Sequence, residues 1–180
     1  RRYFQDFRMN RGRVQLDAAI AYTLRDEQAQ AVARTKTYYE SHPGGEYLWN
    51  AKPRFGKTLS VYDFCKQIGA QTVLIVTNRP AIANSWYADY VRFLGKESGY
   101  LFVSHVDALA GQPHVLDESE FAAAAIQSED SKRIEFVSLQ DMKGAQAFGG
   151  EYDKLGHLAE IQWDVLVIDE AHEGIDTYKT

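Results

Sequence analysis

From residue 25 onward, helical patterns alternate with short, continuous apolar runs. Arg25 to Ser41 reads as a helix closed by the breaker cluster "SHPGG". "EYLW" (Glu46 to Trp49) reads as a strand, and Lys57 to Ile68 as a helix with apolar positions at Val61, Phe64, Cys65 and Ile68. "TVLIV" (Thr72 to Val76) is the kind of unbroken apolar run that suits a parallel strand buried on both faces. Pro80 to Phe93 reads as a helix with proline in its first turn, where a missing N–H costs nothing. "YLFVS", Ile134 to Ser138 and "DVLVIDE" (Asp164 to Glu170) read as further strands. Between the last two, Leu139 to about Glu160 is an irregular helical stretch interrupted by Gly144, Gly149 and Gly150.

Strands separated by helices imply right-handed crossovers, hence an α/β fold with a parallel sheet and helices on both faces. One region departs from the alternation. His105 to Asp130 holds six acidic residues, no lysine or arginine and the run "FAAAA", and reads as an acidic surface excursion with a short helix.

Composition narrows the class. The 180 residues are 45% apolar and 25% charged, as expected of a water-exposed globular domain. No apolar run approaches the roughly 20 residues a membrane span needs. A lone cysteine, Cys65, rules out an internal disulfide framework and fits a reducing, cytoplasmic setting. The five histidines are scattered, without the spacing of a zinc motif. Net charge is -5, which argues against a wholly basic nucleic-acid binder. Residues 1 to 14 nonetheless carry five arginines against one aspartate, and we read 1–23 as a basic extension that is either a solvated arm or a phosphate-contacting segment.

The candidate chemistry lies at "AKPRFGKT", Ala51 to Thr58. A phosphate-gripping loop has the form G-x-x-x-x-G-K-[ST] after a strand and at the start of a helix. Here Gly56 would let the backbone approach a phosphate, Lys57 would reach its oxygens, and Thr58 would place a hydroxyl on Mg²⁺. Ala51 replaces the first glycine, Pro53 fixes one backbone angle and has no amide to donate, and Arg54 and Phe55 fill positions where small residues are common; with Lys52 they complete the expected nucleotide-binding loop. We expect Arg54 to point away from the phosphates and contact a neighbouring segment.

A partner for that loop follows at "VLVIDEAHEG". Two acids leaving a strand end can divide the work of phosphoryl transfer to water. Asp169 would hold the metal shell and Glu170 would take the proton of the attacking water.

At this point the chain resembles superfamily-two DEAD/DEAH-type helicases and translocases, in particular the motor of type I and type III restriction R (Res) subunits. The resemblance is carried by "DEAH" after "VLVI", by "RFGKT", by "LRDEQAQAV" (Leu24 to Val32), by "VLIVTNRPAIANSW" and by "IEFVSLQDM", in family order. It covers residues 24 to about 174 and implies a RecA-like P-loop NTPase fold, with 24–180 as part of the first motor domain. It further implies ATP and Mg²⁺ as cofactors, with Gln28 at the adenine edge. Thr77, Asn78, Arg79, Ser138 and Gln140 would line the nucleic-acid path, and Trp86 fits the core better than a base-stacking platform. The implied partners are DNA, a second RecA-like domain with arginines that close over the γ-phosphate, and other restriction-modification subunits. Residues 1–180 contain neither that second domain nor the serine/threonine-rich motif of the next strand, so we expect a part of something longer that hydrolyses ATP poorly by itself. A DEAH-type RNA helicase, and a nucleotide-binding module without motor activity, stay open as alternatives.

Overall fold

The computed structural model describes residues 21–128, 130–146, 149–151 and 155–170. The basic extension 1–20 and the second half of the "DEAH" turn, Ala171 and His172, lie outside the described residues.

Helix α1 (Asp26–Ser41) starts at Arg25, whose backbone is extended and whose N–H donates to Gln28 Oε1 at 2.9 Å. Asp26 and Glu27 in its first turn complement the helix dipole. Helix α2 (Lys57–Ile68) runs between two left-handed glycines, Gly56 at its start and Gly69 at its end. Strand β1 (Thr72–Thr77) follows. The expected helix from Pro80 is continuous but changes pitch: a 3-10 turn over Pro80–Ile82, α3 over Ala83–Asp89, then a wider π turn over Tyr90–Leu94.

Strands β2 (Tyr100–Ser104) and β3 (Val115–Leu116) come next, then α4 (Glu118–Gln127), β4 (Lys132–Ser138), α5 (Leu139–Gly144), α6 (His157–Glu160) and β5 (Val165–Asp169). The sheet order is β3-β2-β4-β1-β5, and all pairs are parallel. Helix α4 is the short helix expected in the acidic region. Its Asp117 cap accepts from Glu120 N–H at 2.8 Å, and Glu120 accepts in turn from Asp117 N–H at 2.9 Å. Strand β3 is too short to leave an alternation in the sequence. Among the described residues of the irregular stretch from Leu139 to Glu160, short helices lie at its two ends.

One expected strand is absent. Residues 46–49 form no ladder, and Leu48 is 83% exposed. An apolar run becomes a strand only when a neighbour supplies hydrogen bonds. Among the described residues the sheet ends at β5, and nothing pairs with 46–49. The segment is held to α1 by Trp49, which donates from Nε1 to Thr35 Oγ1 at 2.6 Å, and by the Tyr47 ring, 5.2 Å from that of Tyr38.

The two faces of the sheet are packed differently. On one, Val73, Ile75, Phe102, Ile134 and Phe136 meet α1, α2 and α3 through Val32, Val61, Phe64 and Trp86. On the other, Leu74, Val76 and Val137 pack with Ala145, Leu155 and Leu158. Register puts Leu166 beside Leu74 and Ile168 beside Val76, yet both β5 side chains are more than half exposed.

Cys65 lies wholly inside the first core, and burial pushes its thiol up to about 12. A thiol reacts as thiolate. The folded protein is therefore expected to resist a thiol-specific disulfide reagent at neutral pH and to react fully in denaturant; rapid labelling of the native chain would contradict the packing.

Candidate nucleotide site at the carboxyl ends of the strands

Parallel register brings three strand ends level. Thr77 is the partner of Ser138 on one side and of Asp169 on the other. Open α/β sheets bind ligands at this edge. The loop from Ala51 to Gly56 arrives here and turns into α2.

The loop is shaped from α1. The Arg25 guanidinium donates to the Arg54 carbonyl at 3.2 Å and also to the Phe55 carbonyl. Gln28 Nε2 donates to the same Phe55 carbonyl at 2.8 Å. Because a trans peptide points its C=O and the next N–H in opposite directions, this fixes the Gly56 N–H away from α1. Gly56 itself has φ of 84° and no side-chain cap stands over the helix start. The first-turn N–H groups of a 12-residue helix with no acidic residue in that turn make a ready anion seat.

The departures from a glycine-rich loop have a backbone counterpart. Arg54 adopts φ of 63°, where glycine is favoured, and a turn closes between Phe55 N–H and the Lys52 carbonyl at 3.1 Å. Lys52, Pro53 and Arg54 are exposed, while Ala51 and Phe55 are half-buried. Arg54 contacts the neighbouring segment through its carbonyl.

Lysine and acids meet across the sheet edge. Lys57 Nζ lies 3.1 Å from Asp169 Oδ1 and 3.0 Å from Glu170 Oε1, joining residues 112 and 113 positions apart. Burial pulls the Lys57 ammonium down, but the hydrogen bonds to Glu170 and Asp169 outweigh it, so its pKa stands above the ordinary lysine value. Glu170 has φ of 56°, a strained left-handed backbone for a non-glycine residue, and its N–H donates to Asp169 Oδ1 at 3.0 Å.

Three supporting residues were not singled out from the sequence. Trp86 is core, as expected, but it also donates from Nε1 to Asp169 Oδ2 at 3.0 Å. Arg25 is the clamp on the loop carbonyls. Asp89 hydrogen-bonds the Thr58 side chain; burial raises the Asp89 pKa, and Arg92 and Thr58 partly offset that. No local pattern marks these residues, because each acts on a partner far away in sequence.

Gln28 is 4% exposed, with its oxygen on Arg25 N–H and its nitrogen on the loop. Of the five residues expected along a nucleic-acid path, Thr77 and Ser138 are buried. Thr77 Oγ1 accepts from Arg79 N–H at 3.0 Å, and Ser138 caps α5 by accepting from Asp141 N–H at 3.1 Å. Both hydroxyls shape the turns that follow their strands. Arg79 and Gln140 are exposed on those turns, and Asn78 is half-buried.

Gly56 has no room for a side chain without a shift. An added Cβ would sit 2.4 Å from Gln28 Nε2, in a backbone region costing an L-residue about 1–2 kcal/mol. Gly56→Ala is expected to weaken ATP binding by roughly tenfold or more, read by titration with a fluorescent nucleotide. Unchanged affinity would mean the loop does not grip phosphate in this form.

Comparison with known proteins places the chain in a family. The family model described as "Type III restriction enzyme, res subunit" matches residues 21–180. A Mycoplasma pneumoniae chain, described as the C-terminal part of a type II restriction enzyme and methyltransferase, RM.MpnORF110P, is 31% identical over 165 residues. That match covers 88% of this chain and 21% of the relative, so the chain spans about a fifth of the relative's length. No solved structure matches. With nearly nine-tenths of its residues matched and a parallel α/β sheet carrying lysine and paired acids at one edge, the chain belongs to the family of type III restriction enzyme res subunits.

Proposed function

We propose that this chain is the ATP-binding first motor domain of an ATP-driven DNA translocase or helicase of a restriction system. The observation that carries the reading is Lys57 held between Asp169 and Glu170 at the start of α2, beside a left-handed Gly56. A binding module would need the lysine and the loop. It would have no use for a second acid beside the first.

In the reaction, water attacks the γ-phosphorus of ATP, the bond to the β,γ-bridging oxygen breaks, and ADP leaves with that electron pair. Glu170 takes the proton of the attacking water. Lys57 moves from its two carboxylates to the phosphate oxygens, and the N–H groups at the start of α2 hold the same charge. The hydroxyl of Thr58 and the carboxylate of Asp169 form an oxygen-only donor set, which fits Mg²⁺. Mg²⁺ held there would supply neutralisation of phosphate charge. Trp86 fixes the rotation of the Asp169 carboxylate. Gln28 would read the adenine edge with the second hydrogen of its amide nitrogen and the second lone pair of its oxygen.

DNA would pass over the turns after β1 and β4, with Arg79 and Gln140 as outward contacts and Thr77, Asn78 and Ser138 shaping them. Phosphate contacts of this kind do not read sequence. Full-length protein is expected to turn over ATP faster with duplex DNA than with RNA. Stimulation by RNA alone would favour an RNA helicase, and ATP binding with no stimulation by either would favour a switch or scaffold.

A further inference from the structure

The sheet face opposite α1–α3 carries a cluster of charged and imidazole groups that the nucleotide site does not use. Glu135, in the middle of β4, is completely buried, and Arg133 on the same strand is 4% exposed. Arg133 binds Glu135 Oε2 from Nε at 2.8 Å and from its terminal nitrogen at 2.6 Å, and also pairs with Glu118 at the start of α4. The remaining Glu135 oxygen, Oε1, lies 2.8 Å from His157 Nε2 on α6. His105, on the loop after β2, stacks edge-on to His157 with ring centroids 6.1 Å apart.

We propose that His105, His157 and Glu135 form a binding site for a divalent transition-metal ion of the zinc type. One donor atom from each lies within 4.8 Å of the others. Glu118 Oε2, 3.5 Å from His157 Nε2, stands at the rim of the cluster, outside that set. Tetrahedral zinc, with bonds of about 2.0–2.1 Å, holds its donors about 3.3 Å apart. His157 Nε2 and Glu135 Oε1, at 2.8 Å, would part slightly to admit the ion, and water would complete the four ligands. Two imidazoles and carboxylate suit zinc, cobalt or nickel better than Mg²⁺ or Ca²⁺.

Charge points the same way. Two carboxylates, Glu118 and Glu135, face one guanidinium, so the cluster has a place for a further cation. Arg133 holds the second Glu135 oxygen and leaves the first for the ion, the arrangement of an outer partner that orients a ligand. Phe121 and Trp163 lie over the guanidinium at 4.7 Å and 5.8 Å and form an aromatic wall. His105 is exposed and marks the route in from solvent. The ion would join the β2 loop and α6 to the sheet as a structural clamp. The inference does not depend on the nucleotide reading.

The test is titration of the metal-free full-length protein with Co²⁺, read by visible absorption. The expected result is one equivalent bound with the intense bands of tetrahedral cobalt, displaced by Zn²⁺, and at least tenfold weaker binding in His105→Gln and His157→Gln. Oxygen-rich octahedral sites, such as the one proposed beside Thr58, give only weak colour. His105→Gln removes an exposed side chain, so it decides the matter if His157→Gln fails to fold. Absence of the intense bands in the folded wild-type protein would overturn the site, as would equal affinity in His105→Gln.

Discussion

Lys57→Ala in the full-length protein is expected to lose ATP binding and to lower DNA-stimulated turnover by about 10²–10³ or more, the usual cost of removing one preorganised charge from a transition state. Glu170→Gln is expected to behave differently. It keeps the shape of the turn and nearly all of the site's contacts, so nucleotide binding survives while turnover falls by about 10²–10⁴, the range for a lost general base. The split between the two variants is the diagnostic. It follows from the geometry, in which Lys57 stands at the start of α2 and Glu170 accepts a hydrogen bond from its ammonium across the sheet edge. Undiminished turnover in either variant would sink the mechanism.

The other large effect concerns stability. Arg133→Met removes the guanidinium that neutralises Glu135, a fully buried carboxylate. Glu118 loses the hydrogen bond that does most to hold its pKa below the ordinary glutamate value. Breaking one side of a buried ion pair costs about 3–5 kcal/mol, because the other charge is left without a partner. Domains are stable by only about 5–15 kcal/mol, so the midpoint of urea unfolding should fall steeply. Replacing both members, as Arg133→Met with Glu135→Leu, is expected to recover much of that loss. A fall of under about 1 kcal/mol in the single variant would mean that Glu135 finds another cation.

The strand runs of β1, β4 and β5 were legible as unbroken apolar stretches, and α1 and α2 from their period and glycine boundaries. Lys57, Asp169 and Glu170 were legible as a group because phosphoryl chemistry requires those residue types at the end of a strand and the start of a helix. Failures came where a long-range partner decides the outcome. "EYLW" has the composition of a strand, but hydrogen bonds, not composition, make one. The clamp by Arg25, the bond from Trp86 to Asp169 and the link from Asp89 to Thr58 join distant segments and leave no spacing to read. His105 and His157 are far apart in the chain and meet only because β2, β4 and α6 converge on one face. A search for metal motifs by local spacing therefore finds nothing.

Among the described residues no strand pairs with the far edge of β5, which matters for anyone working with this stretch of chain by itself. A border strand with open N–H and C=O groups is a template for pairing with another molecule. Leu166 and Ile168 add two apolar side chains on one face, and the loose segment 46–49 brings the nearly bare Leu48. Colloidal behaviour, more than catalysis, is governed by this boundary. A lysine at 166 or 168 is the remedy nature applies to such margins, and neither position belongs to the loop, the acids or the turns on which the motor reading rests.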